Sequence, residues 1–183
     1  MRSSPEVLSN TPAATTAIIT PTALSDMGRE IERKFLVANE DFRKLAKCSK
    51  VIKQGYLSEI NSEGSAFRVR IIDDCAFLTL KGRQHGIERA EFEYPIPVAD
   101  AEDMLKTFCA SRIIEKIRYY VDFKGFLWEV DVFRGRHKGL IIAEIELPNA
   151  NVQFEKPPFI TEEVSDKFEY SNFYLCSAPD MGR

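Results

Sequence analysis

The chain has 183 residues, 44% hydrophobic and 29% charged, which fits one ordinary domain and excludes a disordered or fibrous protein. Its net charge of −3 argues against a general nucleic-acid binder, which needs a basic surface. No apolar run approaches the length of a membrane span.

Residues 1–26 are rich in Ser, Thr, Ala and Pro and hold few charges. This composition predicts a disordered tail, with neither the apolar core of a signal peptide nor the arginines of a transit peptide. Met27 opens the patterned region and is an alternative start; residues 27–183 are expected to form a single domain. Strand signals then dominate. β-Branched and aromatic residues alternate near 29–37, 51–58, 65–73, 75–82, 87–97, 112–122, 126–133 and 140–147. Turn residues separate several of these runs, as at Asp73-Asp74 and Lys124-Gly125. Eight antiparallel strands can close into a barrel without an exposed edge. Helices are predicted at Asn39–Lys47, with Phe42 and Leu45 facing inward, and at Asp100–Cys109, with weaker signals at Asn151–Glu155 and Ser171–Cys176. The fold class is therefore α+β, mainly β. The four cysteines contain no C-x-x-C pair and read as reduced, buried thiols of a cytoplasmic protein. His85 and His137 are lone residues in Gly-flanked loops and read as solvated, as does the basic run Arg134 to Lys138.

The charges on these strands are ordered by sign. Glu30 and Glu32 flank Ile31, with Lys34 two further on; Arg68 and Arg70 flank Val69; Glu91 and Glu93 flank Phe92. Lys116 and Arg118 flank Ile117; Glu129 and Asp131 flank Val130; Glu144 and Glu146 flank Ile145. Residues i and i+2 of a strand share a face. About three such like-charge pairs are expected from the composition; seven occur, six of them on predicted strands. A solvated strand face normally mixes signs, because like neighbours repel. Paired acids call for cations and paired bases for anions. If the charged faces line a barrel, one wall would hold metal and the other an oxyanion, an arrangement suited to a polyphosphate bridged by a divalent ion.

The motifs Glu30-Ile31-Glu32-Arg33-Lys34, Gln54-Gly55-Tyr56-Leu57, Arg68-Val69-Arg70 and Thr79-Leu80-Lys81-Gly82 resemble those of the CYTH superfamily, the triphosphate tunnel metalloenzymes. Glu91-Phe92-Glu93, Glu115-Lys116-Ile117-Arg118, Trp128-Glu129-Val130-Asp131 and Ala143-Glu144-Ile145-Glu146 follow in family order. The resemblance implies an eight-stranded antiparallel closed barrel, forming an open tunnel with helices packed outside. It implies hydrolysis of inorganic triphosphate to pyrophosphate and phosphate with Mg²⁺ or Mn²⁺, Ca²⁺ being inhibitory. The alternatives are a class IV-type adenylate cyclase, a phosphatase of another organic triphosphate such as thiamine triphosphate, or a non-catalytic polyphosphate- or nucleotide-binding module. Glu30, Glu32, Glu144 and Glu146 are the expected metal ligands. Lys34, Lys53, Arg68, Arg70, Lys81, Lys116 and Arg118 are the expected substrate contacts. Lys34, Tyr56, Glu129 and Asp131 are catalytic candidates, and Glu91 and Glu93 are further tunnel acids. No nucleic-acid or membrane partner is expected, and a homodimer is left open. One departure is Glu169, where relatives carry a basic residue before the Tyr of the last motif; Lys167 is the candidate substitute.

Overall fold

The computed structural model describes residues 28–57, 65–109 and 112–177. The tail assigned to residues 1–26 and the alternative start at Met27 lie outside the described residues. Strands β1 (Arg29–Val37), β2 (Ala46–Tyr56), β3 (Ala66–Ile72), β4 (Cys75–Lys81) and β5 (Glu88–Ile96) are followed by β6 (Ile113–Phe123), β7 (Phe126–Phe133) and β8 (Ile141–Glu146). Hydrogen bonding runs β5-β4-β3-β2-β6-β7-β8-β1, all antiparallel, and β1 pairs back onto β5 through Arg29, Glu30 and Ile31. The eight predicted strands therefore form a closed antiparallel barrel. A ninth strand that the alternation does not reveal, β9 (Ile160–Glu163), pairs with the later part of β1, at Phe35 and Val37. Its Thr161, Glu162 and Glu163 mask the strand signal because this short edge segment has little apolar surface to bury.

The helices are shorter than the sequence predicts. Helix α1 spans only Phe42–Leu45, because β2 begins at Ala46. Phe42 is buried, but Leu45 is exposed, contrary to its predicted inward facing. Helix α2 spans Val98–Met104 and continues as a π-helical turn, Leu105–Cys109. The wider turn brings Ala101, Leu105 and Cys109 onto the buried face and leaves Phe108 outside. Asn151–Glu155 is not helical but follows a turn as irregular chain; the Pro157-Pro158 pair just beyond it opposes helical continuation. Helix α3, Asn172–Ser177, matches its prediction.

Alternation sorts the strand residues into two sets. Outward-facing Phe35, Trp128, Val130 and Ile145 are covered by Phe42 and Phe159. Phe154 lies edge-on to Trp128, with ring centroids 5.7 Å apart. Burying each such large side chain contributes about 1.5–3 kcal/mol. A second outer layer places Val69 and Ala76 under α2. The third cluster is inside the barrel: Tyr56, Ile114, Phe133 and Ile142 pack against Val164, Tyr170, Leu175 and Cys176. The C-terminal segment thus plugs one end. The closed barrel is the tunnel fold that the resemblance implied; at this end its inward-facing layer is apolar and is covered by the C-terminal segment, so the charged interior forms a cup.

Two features of the plug revise sequence expectations. His137 is buried, donates from Nε2 to the Leu175 carbonyl at 2.7 Å and packs edge-on to Phe133. Arg136 donates to the Cys176 carbonyl at 2.7 Å. The basic run is therefore partly a clasp for the C-terminal end of α3, where carbonyls lack helical partners, and not simply a solvated turn. His85 is exposed, as expected. Of the thiols, Cys109 and Cys176 are buried and Cys48 is half-buried, whereas Cys75 is exposed, and none forms a disulfide. No described helix is long and apolar enough to cross a membrane.

Candidate active site

The strand pleat that sends Trp128 and Ile145 outward sends the paired charges inward. From β1 come Glu30, Glu32 and Lys34; from β3, Arg68 and Arg70; from β4, Lys81; from β5, Glu91 and Glu93. The opposite wall supplies Lys116 and Arg118 from β6, Glu129 and Asp131 from β7, and Glu144 and Glu146 from β8. The barrel brings all fourteen together. Lys53 does not join them. It is exposed on the outer face of β2, the same face on which a Cβ at Gly55 would meet Cys109. Lys167 pairs with Glu162 at the surface and does not replace a tunnel base.

The two signs interleave instead of separating into an acidic and a basic wall. Arg118 is the hub of one network. Its Nε and Nη2 donate to the two carboxylate oxygens of Asp131, each at 2.7 Å, and Nη2 also reaches Glu144 at 2.7 Å. Its Nη1 donates to Glu129. Lys116 donates to Asp131 and, at 3.1 Å, to Asn172 of α3. Lys34 joins Glu32 to Glu144. In the second network Arg68 Nη2 lies 3.1 Å from Thr79 Oγ1, 3.2 Å from Glu91 and 3.3 Å from Glu93. Arg70 donates to Glu93 at 2.6 Å, and Lys81 pairs with Glu91 and lies 3.7 Å from Glu30. Such interleaving follows from bringing many buried charges close together: each must find an opposite partner or change its protonation.

Sequence reasoning missed three interior residues. Arg89 bonds Glu30 at 2.7 Å; it lies two residues before Glu91, so the same alternation that found Glu91 and Glu93 points to it. Thr79 shares the face of Lys81 and donates to Glu93 at 2.8 Å. Gln54 is buried on the inward face of β2.

The proton affinities record these environments. Burial alone would lower the Lys34 pKa, but Glu144 and Glu32 outweigh it and raise the value. Burial would raise Glu91, yet Lys81 and Arg68 hold it down at about 2. Lys81 is lowered to about 7 by burial and by Arg68. Burial pushes Tyr56 up to about 12; its ring packs edge-on against Phe173, with centroids 5.1 Å apart, so at neutral pH this phenol is a protonated plug residue.

The mouth near Glu146 has the character of a cation site. Glu32 and Glu146 are directly paired across β1 and β8. The Glu146 carboxyl is pushed up to about 7 by burial and by Glu30, Glu129 and Glu32. Among the described residues no three carboxylates already close around an ion-sized space, since Arg89, Lys34 and Arg118 occupy their oxygens. The donor set is all oxygen and excess negative charge accumulates there, which fits a hard divalent ion.

Residues 28–174 match the CYTH domain. The chain belongs to the CYTH family. This CYTH chain is 44% identical over 153 residues to an inorganic triphosphatase of Acetivibrio thermocellus, spanning 84% of the chain and 96% of that relative. It is 36% identical over 150 residues to an inorganic triphosphatase of Nitrosomonas europaea, spanning 80% of the chain and 96% of that relative. A crystal structure of an inorganic triphosphatase is similar with a TM-score of 0.61 at 33% identity, over 81% of this chain and 95% of that one. The CYTH domain thus spans β1 to α3, and every interior charge described above lies within it.

Proposed function

We propose that this CYTH protein hydrolyses inorganic triphosphate to pyrophosphate and phosphate inside the cup. The observation that carries this reading is the interior itself: among the described residues, seven cations and eight carboxylates face the inside of the barrel, and apolar side chains cover one end. Two curated relatives are inorganic triphosphatases, which supports the same substrate.

Lys34, Arg68, Arg70, Lys81, Lys116 and Arg118 exchange some of their carboxylate partners for phosphate oxygens when the anion enters. Arg forks take two oxygens each and Lys acts as a point charge. Glu30, Glu32, Glu144 and Glu146 would hold Mg²⁺ or Mn²⁺, which would supply Lewis-acid polarisation of the phosphoryl oxygens. Glu129, whose pKa burial and the neighbouring carboxylates Glu144 and Asp131 raise, accepts a proton from the attacking water. The water oxygen bonds to a terminal phosphorus, the anhydride bond breaks, and pyrophosphate leaves with the electron pair. Asp131 has both oxygens engaged by Arg118 and Lys116 and positions those cations.

The test is product analysis with inorganic triphosphate, ATP and thiamine triphosphate, each with Mg²⁺, Mn²⁺ and Ca²⁺. Phosphate and pyrophosphate from inorganic triphosphate at the highest rate, with Ca²⁺ supporting little turnover, is the expected result. Cyclic AMP formation from ATP exceeding triphosphate hydrolysis would overturn it, as would undiminished activity after chelation.

A further inference from the structure

Gln54 stands out among the interior groups. Its side chain is 0% exposed, and neither Nε2 nor Oε1 has a hydrogen-bond partner. An unsatisfied buried amide is costly, and natural interiors rarely keep one without a purpose. Its place in the cup suggests the purpose. Gln54 pairs with Arg70 on β3 and with Ile114 on β6, and its neighbour Ile52 pairs with Lys116. On one side, then, stands the guanidinium row of β3, and on the other the Lys116–Arg118 row of β6. On that face of β2, Ile52, Gln54 and Tyr56 are uncharged, and the next residue along it, Lys50, stands beside Arg118 at the far end and is tied to Asp73. Towards the closed end Tyr56 and Ile114 belong to the apolar plug, which offers the amide no polar partner. A third cation at this position would face Arg70 and Lys116, both already lowered in pKa by burial and by neighbouring Arg side chains.

We infer that Gln54 is a substrate-binding residue: its Nε2–H donates to an oxygen of a phosphate chain that bridges the β3 and β6 cation rows along the inner face of β2. A neutral donor there binds the anion without adding to the cation repulsion. Oε1 accepts from a water, or from a hydroxyl of a protonated phosphate. This rests on the proposed reading of the cup as a triphosphate site and adds the means by which chain length is read, since an orthophosphate is too short to span both rows.

The experiment compares the full-length protein with Gln54→Leu and Gln54→Glu by initial-rate kinetics on inorganic triphosphate in Mg²⁺, by competitive inhibition with orthophosphate, and by ligand-free melting. A lost hydrogen bond to a charged group predicts kcat/KM for triphosphate lowered about tenfold in Gln54→Leu, and further in Gln54→Glu. The orthophosphate inhibition constant should stay within about twofold. The ligand-free melting temperature of Gln54→Leu should hold or rise, because an unsatisfied amide is gone. Equal kcat/KM in wild type and Gln54→Leu overturns the inference, as does an equal loss for triphosphate and orthophosphate. If Gln54→Leu does not fold, Gln54→Glu, which keeps the side-chain shape, carries the same comparison. Should the wild type itself fail to turn over triphosphate, the reading of the cup falls, and that result is distinct from a wild-type-like variant.

Discussion

Glu32 and Glu146 are directly paired across β1 and β8, two carboxylates on one inward face with Glu30 close by. Like charges in that position destabilise a sheet unless a cation intervenes. Lys34 answers Glu32, whereas no ion pair is seen for Glu146 among the described residues. The fold therefore carries a repulsion at the mouth that a divalent ion would relieve.

Glu146→Gln should separate this from ordinary packing. Without metal, its melting temperature should equal or exceed that of the wild type. At a Mg²⁺ or Mn²⁺ concentration of about 100 Kd, mass action stabilises the wild type by about 2.7 kcal/mol, or roughly 5–10 °C for a domain of this size. The variant should gain less than half of that and lose most triphosphatase activity. An equal metal-induced shift in both proteins would remove Glu146 from the ligand set.

Asp131 provides the opposite case. It is 0% exposed and holds both Arg118 and Lys116. From sequence, removing one member of a like-charge pair looks stabilising. In the fold each such charge has an opposite partner, and breaking a buried pair costs about 3–5 kcal/mol. Asp131→Asn should therefore melt roughly 10 °C lower, bind triphosphate more weakly and keep the wild-type metal-induced shift. A variant as stable as the wild type would show that the Arg118 fork does not depend on Asp131.

The legible part of this molecule was its alternation. Period-two charge pairs on Glu30/Glu32, Arg68/Arg70, Lys116/Arg118 and Glu144/Glu146 survive in any sheet, so the inward set could be named without a register. The interleaving of signs was not legible, because it depends on pairings such as Lys34 with Glu144 across long sequence separations. Lys53 was misplaced by one residue of facing: on a strand, neighbours 53 and 54 point to opposite sides, and the motif around Gln54-Gly55-Tyr56 does not say which. The plug escaped for a similar reason. Nothing local marks Leu175 as a lid for Ile114 and Phe133, and the three meet only when the barrel closes.

Acid should weaken the β4–β5 wall in a defined window. The Glu91 pKa lies at about 2 against an ordinary 4.5, so its ionised form favours the folded state. That contribution is complete above about pH 4.5 and is lost as pH falls towards 2. Melting temperature should drop across this interval in the wild type. Glu91→Gln should start lower at pH 7, since Lys81 and Arg68 lose a partner, and should decline less steeply on acidification. Parallel curves for the two proteins would place the acid-sensitive carboxylate elsewhere.

Gly55 tests the contact between the cup wall and the π-helical turn. A Cβ there would stand 2.8 Å from both Cβ and Sγ of Cys109 and 3.1 Å from the Arg112 carbonyl oxygen. Cys109 is buried beneath that turn and cannot swing into solvent, so the backbone itself must move. Overpacking of this kind costs about 1–3 kcal/mol. Gly55→Ala should accordingly melt several degrees lower. Gly82→Ala is the milder control, its nearest new contact being the Ala90 methyl at 3.3 Å. Adding Cys109→Ala to Gly55→Ala removes the Sγ clash but not the Cβ clash, so it should restore part of the loss. Melting curves for the two single variants and the double variant measure the coupling. Strict additivity of Gly55→Ala and Cys109→Ala would mean that the glycine is needed for a reason other than the close approach of the π turn to β2.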